Sequence, residues 1–83
     1  MEDISGVVNL VTYIVNSLVD NTEAVNIRLL EGDVTSVIEI RVAEDDIGKI
    51  IGRQGRTIKS LRTLVLTASA KLKKHVSIEL MEE

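Results

Sequence analysis

The sequence predicts an α+β domain: a three-stranded mixed sheet with helices packed on one face, in the order α-β-β-α-α-β. Three observations predict it. Apolar residues recur at helical spacing near the start and again after Arg56, which calls for long amphipathic helices. Two alternating runs flank the short link Glu31-Gly32-Asp33, which reads as a hairpin. A last alternating run closes the chain, and a strand that returns through two helices pairs in parallel where the hairpin pairs antiparallel.

The first helix rests on Ile4, Val7, Val8, Val11, Ile14, Val15 and Leu18, with Val19 at its end. Tyr13 projects about 180° away from that stripe, at roughly 100° per residue, and is read as a surface residue or subunit contact. Asp20-Asn21-Thr22 breaks the pattern. In the first strand Val25, Ile27 and Leu29 alternate with Asn26, Arg28 and Leu30; in the second, Val34, Ser36, Ile38, Ile40 and Val42 alternate with Thr35, Val37, Glu39 and Arg41. Gly32 is available for a positive φ in the turn between them. Glu44-Asp45-Asp46 precedes Ile47, where carboxylates suit the N-terminus of a short helix. A longer helix is expected from Arg56 to Lys74, with Ile58, Leu61, Val65, Ala68 and Leu72 on one face. Its other side carries Arg56, Lys59, Arg62 and Lys73, with Leu66 stranded among them. Val76, Ile78 and Leu80 make the final strand.

Composition narrows the function. The 83 residues form one domain, 1–83, with a Val/Ile/Leu core and no linker, repeat or low-complexity segment. With no cysteine there is no disulfide, zinc knuckle or thiol nucleophile. One histidine, His75, leaves little for a metal site or a Ser/His/Asp relay, and it is read as a surface residue. Tyr13 is the sole aromatic, which removes the stacking platforms of RRM and OB-fold binders. Glu2 and Asp3 stand where a secretory signal would be basic, and Asn9, Thr12 and Asn16 interrupt the first apolar stretch. A cytoplasmic protein without a membrane span is the expectation.

The net charge of −3 would argue against a nucleic-acid partner if it were evenly spread. It is not. Residues 1–46 carry a balance of −8, residues 47–78 carry +8 without one acid, and the last five residues carry −3. The basic run consists of Lys49, Arg53, Arg56, Lys59, Arg62, Lys71, Lys73 and Lys74. A solvated basic helix would also look like this, but so long a stretch without acids reads better as a focused anion-binding surface.

Inside that run, between the two later helices, lies Ile50-Ile51-Gly52-Arg53-Gln54-Gly55-Arg56-Thr57-Ile58. Two glycines three apart would be weak evidence alone; the aliphatic flanks and the density of bases give them value. Glycine lets the backbone turn sharply and lets a sugar-phosphate strand approach without Cβ obstruction. The helix that starts at the loop directs its unpaired N–H groups and positive dipole end toward a phosphate. Arg53 and Arg56, helped by Lys49 and Lys59, supply attraction and hydrogen bonds, and Gln54 adds a neutral donor and acceptor.

The stretch Asp46-Ile47-Gly48-Lys49-Ile50-Ile51-Gly52-Arg53-Gln54-Gly55-Arg56-Thr57-Ile58-Lys59-Ser60-Leu61-Arg62 resembles the signature of a KH domain. The element order resembles the type II arrangement, and the length resembles the small bacterial single-KH proteins of the KhpA type. The resemblance implies that Gly52-Arg53-Gln54-Gly55 clamps the backbone of about four nucleotides of single-stranded RNA. It implies that Lys49, Arg56 and Lys59 lie beside the phosphate track, and that Ile50, Ile51 and Ile58 set the loop and wall an aliphatic base groove. Which of these three touch a base and which fill the core stays open from sequence. The resemblance further implies an RNA chaperone or post-transcriptional regulator that acts with a larger KH protein and influences cell-wall growth and cell length.

Other chemistry has less support. Gly48-Lys49 lacks the G-x-x-x-x-G-K-[ST] context of a phosphate-binding loop. Glu44, Asp45 and Asp46 could hold a hard cation, yet helix capping explains them better. No nucleophile–base pair is present, so no enzymatic activity, catalytic residue, metal or cofactor is expected. Tyr13 and Leu66, both off the core faces of their helices, motivate an alternative role as a dimerisation or docking module. Pairing two small clamps would raise affinity through effective concentration.

Overall fold

The computed structural model describes residues 4–82. Glu2, Asp3 and Glu83, which enter the charge and signal readings, lie outside the described residues. The elements are α1 (Ile4–Leu18), β1 (Asn26–Glu31), β2 (Thr35–Arg41), α2 (Ile47–Ile51), α3 (Arg56–Ala70) and β3 (His75–Leu80). Short 3-10 turns at Thr22–Ala24, Glu44–Asp46 and Arg53–Gly55 join them. This is the α-β-β-α-α-β order and the mixed sheet that the sequence predicts. No helix among the described residues is long and apolar enough to cross a membrane.

The strand order is β1-β2-β3, with β2 in the centre, antiparallel to β1 and parallel to β3. Register places Ile27, Ile40 and Leu80 in one row and Leu29, Ile38 and Ile78 in the next. Successive strand residues point to opposite faces, so these rows face the helices. Arg28, Glu39 and Glu79 form a polar row on the open face. The core gathers Val7, Val11 and Val15 from α1, Ile50 from α2, Leu61 and Val65 from α3, and the inward strand residues. Each such side chain gains roughly 1.5–3 kcal/mol over its exposed state. Tertiary burial therefore holds α1 helical despite its β-branched valines and isoleucines.

Three local expectations change. The last helix stops at Ala70, not Lys74; Lys71–Lys73 form a turn, and Lys73 takes a left-handed φ of 57°. The amphipathic spacing runs through Leu72 because Leu72 still packs on the core from outside the helix. Gly32 does not use a positive φ. It is needed because a Cβ there would stand 2.5 Å from the carbonyl oxygen of Thr35, to which Gly32 donates a backbone hydrogen bond of 3.0 Å. The third change, at Asp46, belongs to the site.

Ser36 is fully buried in β2 beside Val76, and its hydroxyl has no hydrogen-bond partner among the described residues. A buried hydroxyl without a partner loses its hydration for nothing. Ser36→Ala should match the parent or gain up to about 1 kcal/mol in denaturant unfolding. A clear loss would reveal a partner for this oxygen.

Candidate nucleic-acid interface

The five-residue α2 and the longer α3 meet at Gly52-Arg53-Gln54-Gly55. Gly52 sits at φ 77°, Gln54 at 58° and Gly55 at 75°. Glycine adopts these angles freely, whereas the left-handed region costs Gln54 about 1–2 kcal/mol. Strain of this kind persists only where the surroundings enforce it. Here Gly52 N–H donates to the Gly48 carbonyl (2.9 Å) and Gly55 N–H to that of Gly52 (3.1 Å). A Cβ on Gly52 would overlap the Thr57 side chain and lie 2.8 Å from its backbone nitrogen, so the loop is pressed against the first turn of α3. The N-cap of that helix is Gly55, which has no side chain with which to cap it.

The aliphatic flanks divide by burial. Ile50 is enclosed in the core and Ile58 nearly so, while Ile51 is half-exposed. The first two therefore anchor the loop from beneath, and Ile51 is the one with surface to offer.

The bases divide by partner. Arg53, Arg56, Lys59 and Arg62 are exposed and have no ion pair among the described residues. Arg56, Lys59, Arg62 and Leu66 fall at i, i+3, i+6 and i+10, one stripe of α3 that runs roughly 15 Å from the loop. The stripe ends at a cleft of about 110 Å³ between α3 and β3, where Arg62 and Leu66 face His75, Val76, Ser77 and Ile78. His75 N–H donates to Val34 across the parallel ladder (3.3 Å). Because strand residues alternate, the backbone groups of Val76 and Ile78 point the other way, to the free edge. Sequence periodicity placed Leu66 off the core but could not pair α3 with β3, so the roles of Arg62, Ser77 and the strand edge were not legible. A larger hollow of about 310 Å³, beside Arg41, Glu44, Ile47 and Met81, holds one base against one acid and offers no excess positive charge. Tyr13 is 74% exposed on α1.

Lys49 differs from the other bases. Its ammonium lies 2.8 Å from Asp46 Oδ1 and 3.2 Å from Asp20 Oδ2. The expected capping role of Asp46 is not observed: its side chain makes no cap bond to α2. The carboxylate, with only 3% of its side-chain surface accessible, turns back to accept backbone N–H groups from Asp20 (3.2 Å) and Asn21 (3.0 Å), just past α1. It thus fastens the end of α1 to α2. Asp46 closes the 3-10 turn Glu44–Asp46 with its own N–H, which donates to the Ala43 carbonyl (2.8 Å).

A family model described as KhpA/KhpB, KH domain, matches residues 8–80. The chain belongs to this family of KH domains. A Chlamydia pneumoniae protein named RNA-binding protein KhpA is 48% identical over 71 residues, covering 86% of this chain and 91% of its own length. Its namesake in Borreliella burgdorferi is 37% identical over 82 residues, covering 99% of this chain and all of its own length. That in Caldanaerobacter subterraneus is 44% identical over 72 residues, 87% and 96% of the two chains. The family is non-enzymatic, and the α-β-β-α-α-β order is that of the type II KH fold. The two-glycine loop of this chain, Gly52-Arg53-Gln54-Gly55, lies within the matched residues.

The ion pair sets a pH dependence. The hydrogen bond from Lys49, then that from the Asn21 N–H, holds the Asp46 carboxyl below its ordinary value of 3.8, against the opposing effect of burial. A depressed folded value means that Asp46 contributes fully above 3.8, and that the contribution is lost as pH falls through the folded value. Asp46→Asn should therefore be less stable than the parent at neutral pH, and the difference should narrow near pH ~3. Denaturant titrations at the two pH values test this; an equal gap at both would contradict it.

Proposed function

We propose that the domain binds single-stranded RNA, clamping the sugar-phosphate backbone at Gly52-Arg53-Gln54-Gly55. The observation that carries this reading is the coincidence of a positive-φ loop, a helix start whose N-cap is Gly55, and Arg53, Arg56 and Lys59 without an acidic partner among the described residues. A phosphate there meets the positive end of α3 and the exposed cationic groups of Arg53, Arg56 and Lys59 together. The stripe through Arg62 then leads the strand to the α3–β3 cleft. Leu66 and Ile51 offer aliphatic surface to bases, and the outward backbone groups of Val76 and Ile78 offer donors and acceptors to base edges. Such a groove needs no aromatic platform. The names of the relatives, RNA-binding protein KhpA, support the same reading. A finer role as an RNA chaperone or post-transcriptional regulator in the cytoplasm accords with a small clamp that reads backbone more than sequence. Action with a larger KH partner is suggested by the name KhpB beside KhpA in the family description; a part in cell-wall and cell-length control rests on the family resemblance alone.

The test replaces Arg53 and Gln54 with aspartates and titrates a labelled single-stranded RNA at fixed salt. Affinity should fall more than about tenfold, from lost charge-assisted phosphate contacts. Unchanged binding by a variant with the parent's circular dichroism spectrum would overturn the assignment.

A second reading, association of two copies, is favoured by the 74% exposure of Tyr13, a large side chain with no intramolecular role in the core. Two clamps in one particle would gain affinity through effective concentration. Sedimentation at micromolar concentration should show a dimer that Tyr13→Lys or Leu66→Lys dissociates. A monomer in all three proteins would remove this reading and leave the RNA clamp intact.

A further inference from the structure

We propose that Asp20 is an internal competitor for the RNA backbone: its carboxylate takes up the outward side of the Lys49 ammonium and keeps that cation from attracting phosphate. The inference rests on the reading of the loop as an RNA clamp and adds a residue, outside the signature, that sets how strongly the clamp holds.

Lys49 lies three positions before Gly52, at most about 4.5 Å along the axis of α2 from the loop. Its charge should reinforce Arg53 and Arg56, but two carboxylates share it. The partners are unequal. Asp46 is buried and holds three bonds, two of them from the backbone past α1, so its pairing with Lys49 belongs to the fold. The Asp20 side chain is 87% exposed and touches no cation but Lys49 among the described residues; Lys49 itself is 41% exposed. What Asp20 contributes to the fold is its backbone N–H, which donates to Asp46 and is indifferent to the side chain.

The electrostatic consequence is direct. One ammonium between two carboxylates is a cluster of net charge −1 beside α2, the helix that leads into the loop. A phosphate nearing the loop meets repulsion at this end of α2 and attraction at Arg53, Arg56 and Lys59. With Asp20 neutralised, Asp46 still holds Lys49 in place. The cluster then sums to zero, and the ammonium keeps donors free for a phosphate oxygen. The carboxylate of Asp20 thus plays the part of a phosphate that the chain carries with it. Such a device favours a strand that engages the loop and the α3 stripe together over any polyanion that touches only the basic surface.

Asp20→Asn, Lys49→Gln, the double variant Asp20→Asn/Lys49→Gln and Glu23→Gln are compared with the parent. Each is titrated with a labelled oligouridylate at salt from ~50 to ~200 mM. Glu23 is an exposed acid in the neighbouring turn and controls for the general effect of removing one negative charge. Asp20→Asn should bind about two- to fivefold more tightly, the scale of one exposed ion pair. Its logarithmic salt slope should steepen by about 0.7, the increment for one more single-strand phosphate contact. Neither change should occur when Lys49 is already glutamine, and Glu23→Gln should stay near the parent. The proposal is overturned if Asp20→Asn equals the parent, if its gain survives the loss of Lys49, or if Glu23→Gln gains as much. The aspartate variant of Arg53 and Gln54, run alongside, separates the two failures. If it binds as the parent does, the loop is not the clamp and this inference falls with it. If it loses binding while Asp20→Asn changes nothing, only the competitor is refuted.

Discussion

The loop depends on a helix that could not exist alone. Five residues, Ile47–Ile51, are far below the length at which an isolated helix is stable in water. Three anchors replace the missing cooperativity. Ile50 is enclosed in the core, the Asp46 carboxylate fastens the N-terminal end to the chain past α1, and Gly52 is pressed against Thr57 at the other end. Between these fixed points the backbone turns through Gln54 and Gly55 in left-handed conformations that an unsupported turn would abandon. Phosphate recognition by backbone groups requires that they be held before the ligand arrives, since ordering them on binding would subtract from affinity. The short helix and its anchors meet that requirement.

Asp46 also shows why a buried charge can be tolerated in so small a core. Removing a carboxylate from water is costly unless its oxygens are bonded and its charge is matched. Two backbone N–H groups and the Lys49 ammonium do both. The arrangement ties three segments together, at Asp20-Asn21, Asp46 and Lys49. The bases differ in their surroundings. Among the described residues, Lys49 and Lys74 are matched by acids, while Arg53, Arg56, Lys59 and Arg62 have no ion pair. An acidic protein can thus present a basic surface, because the field at a site follows local arrangement more than the net count.

Several features were legible in the residues because they depend on local periodicity or local chemistry. The helical stripe of α1, the alternation of β2 and the two-glycine loop are of that kind, and each stands where its pattern put it. Other features escaped. Leu72 continues the helical spacing of α3 although the helix has ended at Ala70, because a residue in the following turn reaches the same core. Ile50 and Ile51 are identical in type and adjacent in sequence, yet one is enclosed and the other half-exposed. Their difference comes from the direction of a helix too short to show its own period. Asp46 reads as a cap because carboxylates before a helix commonly are caps; its backbone donors lie 26 and 25 residues away.

By itself the sequence determined the element order, the place of the loop and the segregation of charge, since each follows from which residues are neighbours along the chain. Tertiary structure decided which cations remain available and which isoleucine faces outward. It also decided where the basic stripe leads, and whether the short helix has a fixed position at all. Those outcomes depend on groups that meet only when α1 docks against α2 and α3 packs beside β3. Burial and ion pairing are properties of neighbours in space, and no spacing along a single element encodes them.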